Sequence, residues 1–294
     1  MTLRSPHIIS FKYLFGAMIL LCFNLANATG LPLESVVPGG IAIIKLDHTN
    51  DTAPNVTYNK KPVMVIKHEN IWHALVGIPL SAKQGKHSII SKVNSNDRTY
   101  SFSVSEKNYE AQYITIKDKR KVSPNAEDLK RIKNERKKIN TALANWDDTL
   151  YAHSIQLDLP AQGPLSSPFG LRRFFNNQPR KPHSGIDIAA PRGTPIVAPA
   201  NGKVILTGDF FFNGNSVFLD HGQGLITMYC HMDTIDVKEG EIINRGEKLG
   251  TIGMTGRVTG PHLHWSVSMN NARIDPSLVV PALQQHDTQT APSM

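Results

Sequence analysis

The chain has 294 residues, enough for two domains, and a formal net charge of +8 at pH 7. A basic surface favours polyanions such as cell-wall polymers or anionic lipid headgroups, and charge alone would also allow nucleic acid. The cysteines are Cys22 and Cys230. The first lies in a segment that we expect to be removed on export, which excludes an intramolecular disulfide in the mature chain.

Residues 1–28 have the parts of a secretory signal peptide. Arg4 and Lys12 supply the positive region, the apolar run Tyr13–Phe23 follows, and Ala26-Asn-Ala28 offers a small-x-small cleavage site. The apolar run is shorter than the roughly 20 residues that span a membrane, so a retained anchor is the weaker alternative. We therefore predict an exported protein, periplasmic or associated with the cell envelope, with no transmembrane span in the mature chain.

Residues 29–120 alternate short apolar runs with polar connections, which predicts a small β sandwich or barrel. They contain no catalytic constellation, so our hypothesis for this domain is a regulatory or wall-binding role. The histidines of this region lack metal-type spacing and are predicted to be ordinary: His48, His68, His73 and His87. The predicted strands are Ile41–Leu46, Pro62–Ile66, Trp72–Ile78, Ser88–Val93, Thr99–Val104 and Gln112–Ile116.

Residues 121–150 are predicted to be a helical linker between the two halves. Apolar residues recur at three- and four-residue steps within Glu127–Trp146, which is typical of an amphipathic helix. The basic run Lys130–Lys138 could contact a polyanion, but a solvated outer face is the interpretation that we favour. The apolar positions are Leu129, Ile132, Ile139, Leu143 and Trp146.

Residues 160–281 are again rich in strands and glycines, which predicts an antiparallel sheet domain, followed by a disordered tail at 282–294. The fold class is therefore mainly β, with a linking helix between two β domains. The segment Phe174–Pro182 is expected to be a loop at the rim of a cleft. The predicted strands are Ile196–Val197, Lys203–Thr207, Ser216–Asp220, Leu225–Tyr229, Glu241–Ile243 and His264–Val267.

A first group of candidate metal ligands is the string His183-Ser-Gly-Ile-Asp187. Residues four apart would share a helix face, but Gly185 and the nearby prolines favour a loop that runs into a short strand. A loop can still turn both side chains onto one ion, since imidazole and carboxylate are both suitable zinc ligands.

A second group is the string Gly260-Pro-His262-Leu-His264. The residues that follow favour a strand, and side chains two apart in a strand point to the same face. His262 and His264 would then face one cavity, while Leu263 and Trp265 face a core.

Together the two strings supply more ligands than a catalytic zinc site needs, because such a site takes three protein ligands and leaves one position open for water. Two histidines and one carboxylate keep the site net positive, which lowers the pKa of bound water towards ~7. Each histidine alone is more often a structural residue than a ligand. The metal hypothesis depends on their co-occurrence, with glycine and proline around them and with a further histidine, His231, after Tyr229-Cys230.

Residues from about Gly163 to Pro281 resemble the lysostaphin-like (LytM-type) zinc metallopeptidases, which cut peptidoglycan peptides. The order and spacing of the shared strings both fit this family, and the match covers about two fifths of the chain. Besides the two histidine strings, the shared strings are Ser166-Ser-Pro-Phe-Gly-Leu-Arg172, Ala198-Pro-Ala-Asn-Gly-Lys-Val204, Tyr229-Cys-His231, Gly250-Thr-Ile-Gly253 and Thr255-Gly256.

The resemblance implies one Zn²⁺ ion bound by His183, Asp187 and His264. It assigns His262 and His231 as catalytic histidines that handle protons and steady the oxyanion. No ligand position is substituted, whereas some relatives lack ligands and serve only as activators of amidases.

Two positions depart from the family pattern. Cys230 stands where relatives often carry a small residue such as glycine, and we expect a buried thiol that faces away from His231. Some relatives also have a tyrosine shortly before the first histidine ligand as an oxyanion donor, but residues 174–180 contain none, so that donor stays open. The region from Pro38-Gly-Gly-Ile41 to Gly77-Ile-Pro-Leu80 also resembles the N-terminal part of some proteobacterial members.

The resemblance thus implies an exported, zinc-dependent peptidoglycan endopeptidase. Peptidoglycan is its expected partner rather than nucleic acid, and the cationic residues near the predicted rim loop could meet carboxylates of stem peptides. The alternatives are a non-catalytic wall-binding activator of another hydrolase and a zinc hydrolase of exported proteins. The N-terminal domain could also inhibit the enzyme until a regulatory partner or the wall displaces it. The cationic residues are Arg172, Arg173, Arg180 and Lys181.

Overall fold

The computed structural model describes residues 30–48, 51–93, 96–152 and 154–284. The predicted signal segment and residues 285–294 of the predicted tail lie outside this range. Within it, no helix is long and apolar enough to cross a membrane.

The prediction of a mainly β chain is confirmed, because strands far outnumber helices in both halves. The N-terminal strands are β1 (Ile41–Lys45), β2 (Asn55–Tyr58), β3 (Lys61–Pro62), β4 (Met64–His68), β5 (Ile71–Gly77), β6 (Gly85–Val93), β7 (Asn96–Val104) and β8 (Ala111–Ile114). A 3₁₀ turn at Lys119–Lys121 and the helix α1 (Ala126–Leu143) follow.

The C-terminal half contains the remaining strands and a second 3₁₀ turn at Pro276–Leu278. The strands are β9 (Leu165–Ser167), β10 (Arg172–Phe175), β11 (Gln178–Pro179), β12 (Ile186–Ala189), β13 (Pro195–Val197), β14 (Gly202–Phe210), β15 (Gly214–Asp220), β16 (Ile226–Ile235), β17 (Ile242–Ile243), β18 (Lys248–Ile252), β19 (His262–Met269) and β20 (Ala272–Ile274).

The N-terminal strands form two small sheets, ordered β1-β5-β4 and β3-β2-β6-β7. Alternation along β5 gives the first sheet two buried faces. Ala74 and Val76 pack with the second sheet, in the core that also contains Tyr58 and Ile89. Leu75 points the other way, into the main core of the C-terminal half. The first sheet is therefore the middle layer between the second sheet and the C-terminal domain.

The helix α1 begins with a capping box, in which the Asn125 side chain accepts from the Asp128 amide and Asp128 accepts from the Asn125 amide. Its apolar stripe packs on the C-terminal sheet, where Leu143 joins Phe218 and Met228 in one buried cluster. The prediction that Leu129 belongs to this stripe is wrong, because that side chain is 55% exposed.

The C-terminal domain is built on a ten-stranded sheet, with the path β17-β14-β15-β16-β19-β12-β9 and additional pairs β13-β18, β16-β18 and β19-β20. The neighbours along this path are antiparallel, as predicted. The largest fully buried side chains of the sheet are Trp265, Tyr229 and Phe218.

A third small sheet differs from the sequence prediction. β8 does not join the N-terminal sandwich but pairs in parallel with β10, which pairs with β11. The segment predicted as a rim loop, Phe174–Pro182, is therefore partly a hairpin, turned by Asn176 and Asn177 with positive φ. Asparagine tolerates this backbone conformation, so the turn has a local cause.

Candidate active site

Pairing between β12 and β19 brings the two histidine strings together. Asp187 lies directly opposite His264 in the antiparallel register, and cross-strand partners point to the same face. Leu263 and Trp265 are fully buried in the core below. The alternation predicted for His262 and His264 is thus the one that the structure has.

Gly185 allows the first string to lie against β19. A Cβ built on this residue would be 2.2 Å from the Trp265 carbonyl oxygen and 2.6 Å from the Ser266 hydroxyl. Because a carbonyl within a sheet cannot easily move, only glycine fits between His183 and Asp187 at this point. The close approach places both side chains over the end of β19.

Three electron-pair donors converge at that point. The distance from His183 Nε2 to Asp187 Oδ1 is 2.9 Å, from His264 Nδ1 to Asp187 Oδ1 2.8 Å, and from His183 Nε2 to His264 Nδ1 2.9 Å. The three residues are the group of the described chain that could hold a metal ion. All three are largely shielded from solvent.

Hydrogen bonds to neighbouring atoms orient both imidazoles. His183 Nδ1 donates to the Pro168 carbonyl oxygen at 2.7 Å, so the lone pair of the neutral ring lies on Nε2 and faces the other two donors. His264 Nε2 lies 3.0 Å from the Ser266 hydroxyl. The remaining nitrogen of each ring is therefore the one available to a metal, as is usual for histidine ligands.

The second carboxylate oxygen of Asp187 is held by an arginine. Arg173 Nη2 donates to Asp187 Oδ2 at 2.8 Å, which leaves Oδ1 directed at the two histidines. Burial raises the pKa of Asp187, but contacts with His183 and His264 outweigh it and hold this pKa well below its usual range. The carboxylate is ionised at neutral pH, as a metal ligand must be.

His231 reaches the same face through an irregularity in β16. Three residues of β15, from Asn215 to Val217, oppose four of β16, from Tyr229 to Met232, so β16 has the one extra residue of a β-bulge. His231 itself has φ +64°, a left-handed conformation that histidine adopts more readily than most residues. Regular alternation would point this ring away from His264, and the bulge turns it back.

Two histidines beside the three donors could carry protons. The rings of His231 and His262 lie 4.9 Å apart between centroids, and His262 Nε2 lies 4.0 Å from Asp187 Oδ1. His231 Nδ1 donates to the Thr255 carbonyl and His262 Nδ1 to the Gly260 carbonyl. Each neutral ring therefore presents a free Nε2.

Burial favours the neutral form of His231 and of His264. Loss of hydration, reinforced by His262 and His264, holds the pKa of His231 well below its usual value. Burial also lowers the pKa of His264 to about 4, although the neighbouring Asp187 acts in the opposite direction. Neutral imidazole is the form that binds metal and accepts a proton.

The residues fit a zinc ion by the chemistry of their donor set. A tetrahedral site with bonds of about 2.0–2.1 Å places its ligand atoms about 3.3 Å apart, a few tenths of an ångström more than here. Without a cation, the His183 lone pair and the anionic Asp187 oxygen would repel each other at 2.9 Å. A cation at their centre would remove that repulsion.

The structure thus brings together all five residues singled out from the sequence. Sequence reasoning overlooked the residues that hold them: Arg173 was expected to meet substrate, and the Pro168 carbonyl gives no side-chain signal. Cys230 is buried, as expected. Burial raises its thiol pKa to about 12, so it is a poor nucleophile.

Comparison with known families assigns both halves of the chain. The model of peptidase family M23 matches residues 181–276, and the model of the peptidase family M23 N-terminal domain matches residues 34–107. These two ranges contain the five clustered residues and the N-terminal sandwich, respectively.

A crystal structure of a peptidase M23 from Pseudomonas aeruginosa is 44% identical, with a TM-score of 0.72, and the match covers 84% of this chain and 96% of that chain. DD-carboxypeptidase/endopeptidase Mpg of Neisseria meningitidis is 40% identical over 42% of this chain and 29% of its own length. Peptidoglycan DD-endopeptidase ShyA of Vibrio cholerae is 42% identical over 35% of this chain and 24% of its own. The chain spans less than a third of these two relatives, but its match to the Pseudomonas structure is nearly complete, and it belongs to peptidase family M23.

Proposed function

We propose that this chain is an exported, zinc-dependent peptidoglycan endopeptidase that hydrolyses amide bonds in stem peptides or cross-links. The observation that carries the proposal is the convergence of His183, Asp187 and His264 beside two histidines with free Nε2 atoms. The matched relatives from Neisseria and Vibrio are a DD-carboxypeptidase/endopeptidase and a peptidoglycan DD-endopeptidase, which supports peptidoglycan as the substrate.

In this proposal His183, Asp187 and His264 hold one zinc ion. Zinc supplies a Lewis acid for the scissile carbonyl and lowers the pKa of a bound water. Arg173 donates to the second oxygen of Asp187 and so leaves Oδ1 for the ion. The hydrogen bond from His183 to the Pro168 carbonyl keeps the ligand nitrogen deprotonated.

His262 and His231 move the protons. His262 acts as the general base, because its free Nε2 lies on the same side of the site as Asp187 Oδ1. The family resemblance implies that His231 helps to stabilise the oxyanion, which requires a hydrogen-bond donor. In the neutral ring Nε2 is an acceptor, since Nδ1 already donates to the Thr255 carbonyl. It can donate to the tetrahedral intermediate only after it has received a proton, so we assign it both roles in sequence.

The second candidate is a wall-binding activator of another hydrolase, without activity of its own. The complete set of candidate ligands favours an enzyme over this role. Hydrolysis of exported proteins is a third candidate, separated from the first by the choice of substrate.

The decisive test is digestion of purified sacculi by the chain that starts after Ala28, with zinc or with a chelator. Zinc-dependent loss of cross-linked muropeptide dimers is expected, and it should vanish in His262→Ala while zinc binding remains. No release of muropeptides by zinc-loaded protein would favour the activator. Cleavage of a generic protein but not of sacculi would favour the third candidate.

The N-terminal sandwich is proposed to adjust access to the cleft or to bind the wall. Its own residues include no cluster of candidate metal ligands within the described range. The basic run Lys130–Lys138 of α1, in which Arg131 is paired with Glu135 and Asp209, remains a candidate polyanion contact, tested by the salt dependence of binding to sacculi.

A further inference from the structure

Arg257 lies near the candidate metal site and has no carboxylate partner among the residues that the structure describes. Its guanidinium carbon is 4.5 Å from the centroid of the Phe175 ring and 4.3 Å from that of the Phe212 ring. Its side chain makes one long hydrogen bond, from Nη1 to the Lys121 carbonyl at 3.4 Å. A guanidinium has five N–H donors, so most of them are available to a partner.

The surroundings of Arg257 are cationic. Lys121 donates to the Phe211 carbonyl, and Arg180 donates to the Val122 carbonyl, so both meet neutral acceptors rather than anions. Arg173 is the one neighbour with a carboxylate, Asp187. Burial, followed by repulsion from Arg173 and Arg180, lowers the pKa of Arg257 to about 10. The group is still charged at neutral pH, and a partly buried cation without a counter-ion is costly.

Arg257 is connected to the metal-binding residues along both walls of the site. On one wall, Arg173 contacts Asp187, and Phe175 lies two residues further on β10, about 7 Å along the strand and on the same face. On the other wall, Thr255 accepts from His231, and Arg257 follows two residues later. The guanidinium therefore lies within reach of a peptide only a few residues long bound at the site.

We propose that Arg257, in contact with the rings of Phe175 and Phe212, is a subsite for a free carboxylate of the substrate peptide, near the bond that is cut. This inference rests on the proposed function and specifies its substrate. The planar guanidinium matches a carboxylate in two parallel hydrogen bonds, and the two rings hold it in place before the substrate arrives. The subsite would make the enzyme select peptides by charge.

From the sequence, the cationic residues around β10 were expected to meet the carboxylates of stem peptides. We assign this role to Arg257 instead. Arg173 is committed to Asp187, Arg172 donates to the Tyr109 carbonyl, and Arg180 to the Val122 carbonyl. The side chain of Arg257 has a single hydrogen bond within the described chain, and that bond is long at 3.4 Å, although this residue lies far from β10 in sequence.

The test uses two synthetic cross-linked peptides, one with free carboxylates and one with every carboxylate converted to a primary amide. Zinc-loaded wild-type protein should cleave the carboxylate form more efficiently. Arg257→Gln should lower kcat/KM for that form by roughly tenfold to a hundredfold and leave the amidated form within about twofold, since a hydrogen-bonded charge pair contributes on that scale. For the carboxylate form, Arg257→Lys should have a kcat/KM between those of the wild type and Arg257→Gln, because lysine keeps the charge but cannot make two parallel hydrogen bonds.

Arg245→Gln is the matched control, because it removes a guanidinium that is paired with Asp158. Its kcat/KM should equal that of the wild type for both cross-linked peptides. An equal loss for both substrates in Arg257→Gln would mean that this arginine only supports the loop, and the subsite would be wrong.

A binding measurement separates this proposal from the proposed function. Fluorescence anisotropy with a labelled short peptide that carries the same carboxylates but no cleavable cross-link should show weaker binding to Arg257→Gln, and no such difference for the amidated peptide. If wild-type protein cleaves neither cross-linked peptide but binds the carboxylate form of the labelled peptide more tightly than the amidated form, the proposed endopeptidase activity is wrong and the proposed subsite is supported. If wild-type protein binds the carboxylate and amidated peptides equally well, the proposed subsite is wrong, whether or not the protein cleaves the cross-linked peptides.

Discussion

At the scale of single residues, the geometry of the site depends on residues that have no reactive side chain. Gly185 separates the two ligands of the first string and is the point where the chain meets β19. We expect Gly185→Ala to weaken zinc binding by roughly tenfold to a hundredfold, because its Cβ would push His183 and Asp187 out of line with His264. Zinc affinity by competition with a chelating dye measures this.

Gly260→Ala is the control for Gly185→Ala, since no heavy atom lies within 4 Å of the Cβ that it adds. It should bind zinc like the wild type. Equal zinc affinity in the two variants would show that the close approach at Gly185 does not position the ligands.

A second residue-scale prediction concerns His221, which lies fully buried beyond the site. Its Nδ1 donates to the Asn201 carbonyl, and Thr227 lies 2.9 Å from Nε2, so the ring is a structural residue. Burial lowers the pKa of His221 from 6.5 to about 4. The unfolded chain therefore binds more protons between these values, and stability should fall as pH decreases from about 6.5 to about 4.

His221 should contribute up to about 3 kcal/mol of this loss. His231 and His264 titrate in the same direction, so the comparison is with His221→Gln. Its free energy of unfolding in urea should change less between pH 7.5 and 4.5 than that of the wild type. Parallel pH dependence in the two proteins would contradict the prediction.

At the scale of secondary structure, alternation predicted the longest strands and missed the short strands β10 and β11. β5, β15 and β19 have an apolar residue at nearly every core position, so their period is visible in the sequence. β10 and β11 lie at the rim and contain arginine, glutamine and proline, so their pairing follows from tertiary contacts with β8. Leu129 fits the helical period, but its side chain is 55% exposed, so the period alone does not tell which residues of α1 meet the sheet.

The bulge in β16 could not be predicted, because it changes register without changing composition. It does have a measurable cost, since His231 occupies a left-handed conformation. We expect His231→Gly to be more stable than His231→Ala by about 1 kcal/mol, because glycine adopts this conformation without strain. Both variants lack the imidazole, so the difference in unfolding free energy reports the backbone alone. Equal stability would mean that the bulge relaxes when the ring is removed.

At the scale of the whole molecule, the N-terminal sandwich shares a core with the peptidase domain. Ile41, Met64 and Leu75 lie in the same buried cluster as Val267 and Met269. An inhibitory role that required the sandwich to leave the peptidase domain would expose this surface. Regulation by smaller movements of β8 against β10 would leave the shared core intact, so a separated fragment 160–294 is a poor test of inhibition.

A buried asparagine joins the two domains at this interface. The Asn270 side chain accepts from the Gly77 amide at 2.7 Å and donates to the Gly77 carbonyl at 3.0 Å. Without it, both backbone groups would be buried and unpaired, at a cost of about 1–3 kcal/mol. Asn270→Ala should therefore lower the free energy of unfolding by about that amount.

Asn271→Ala is the control for Asn270→Ala, because it leaves the clamp intact, that is, the two hydrogen bonds between Asn270 and Gly77. The two asparagines have positive φ, 41° and 62°, so alanine introduces a similar backbone strain at either position. Asn270→Ala should be the less stable variant, and both should unfold in one transition by circular dichroism and by tryptophan fluorescence, because the shared core couples the domains. If instead Asn270→Ala separates the two signals into distinct transitions, the clamp itself rather than the apolar core makes the domains unfold together.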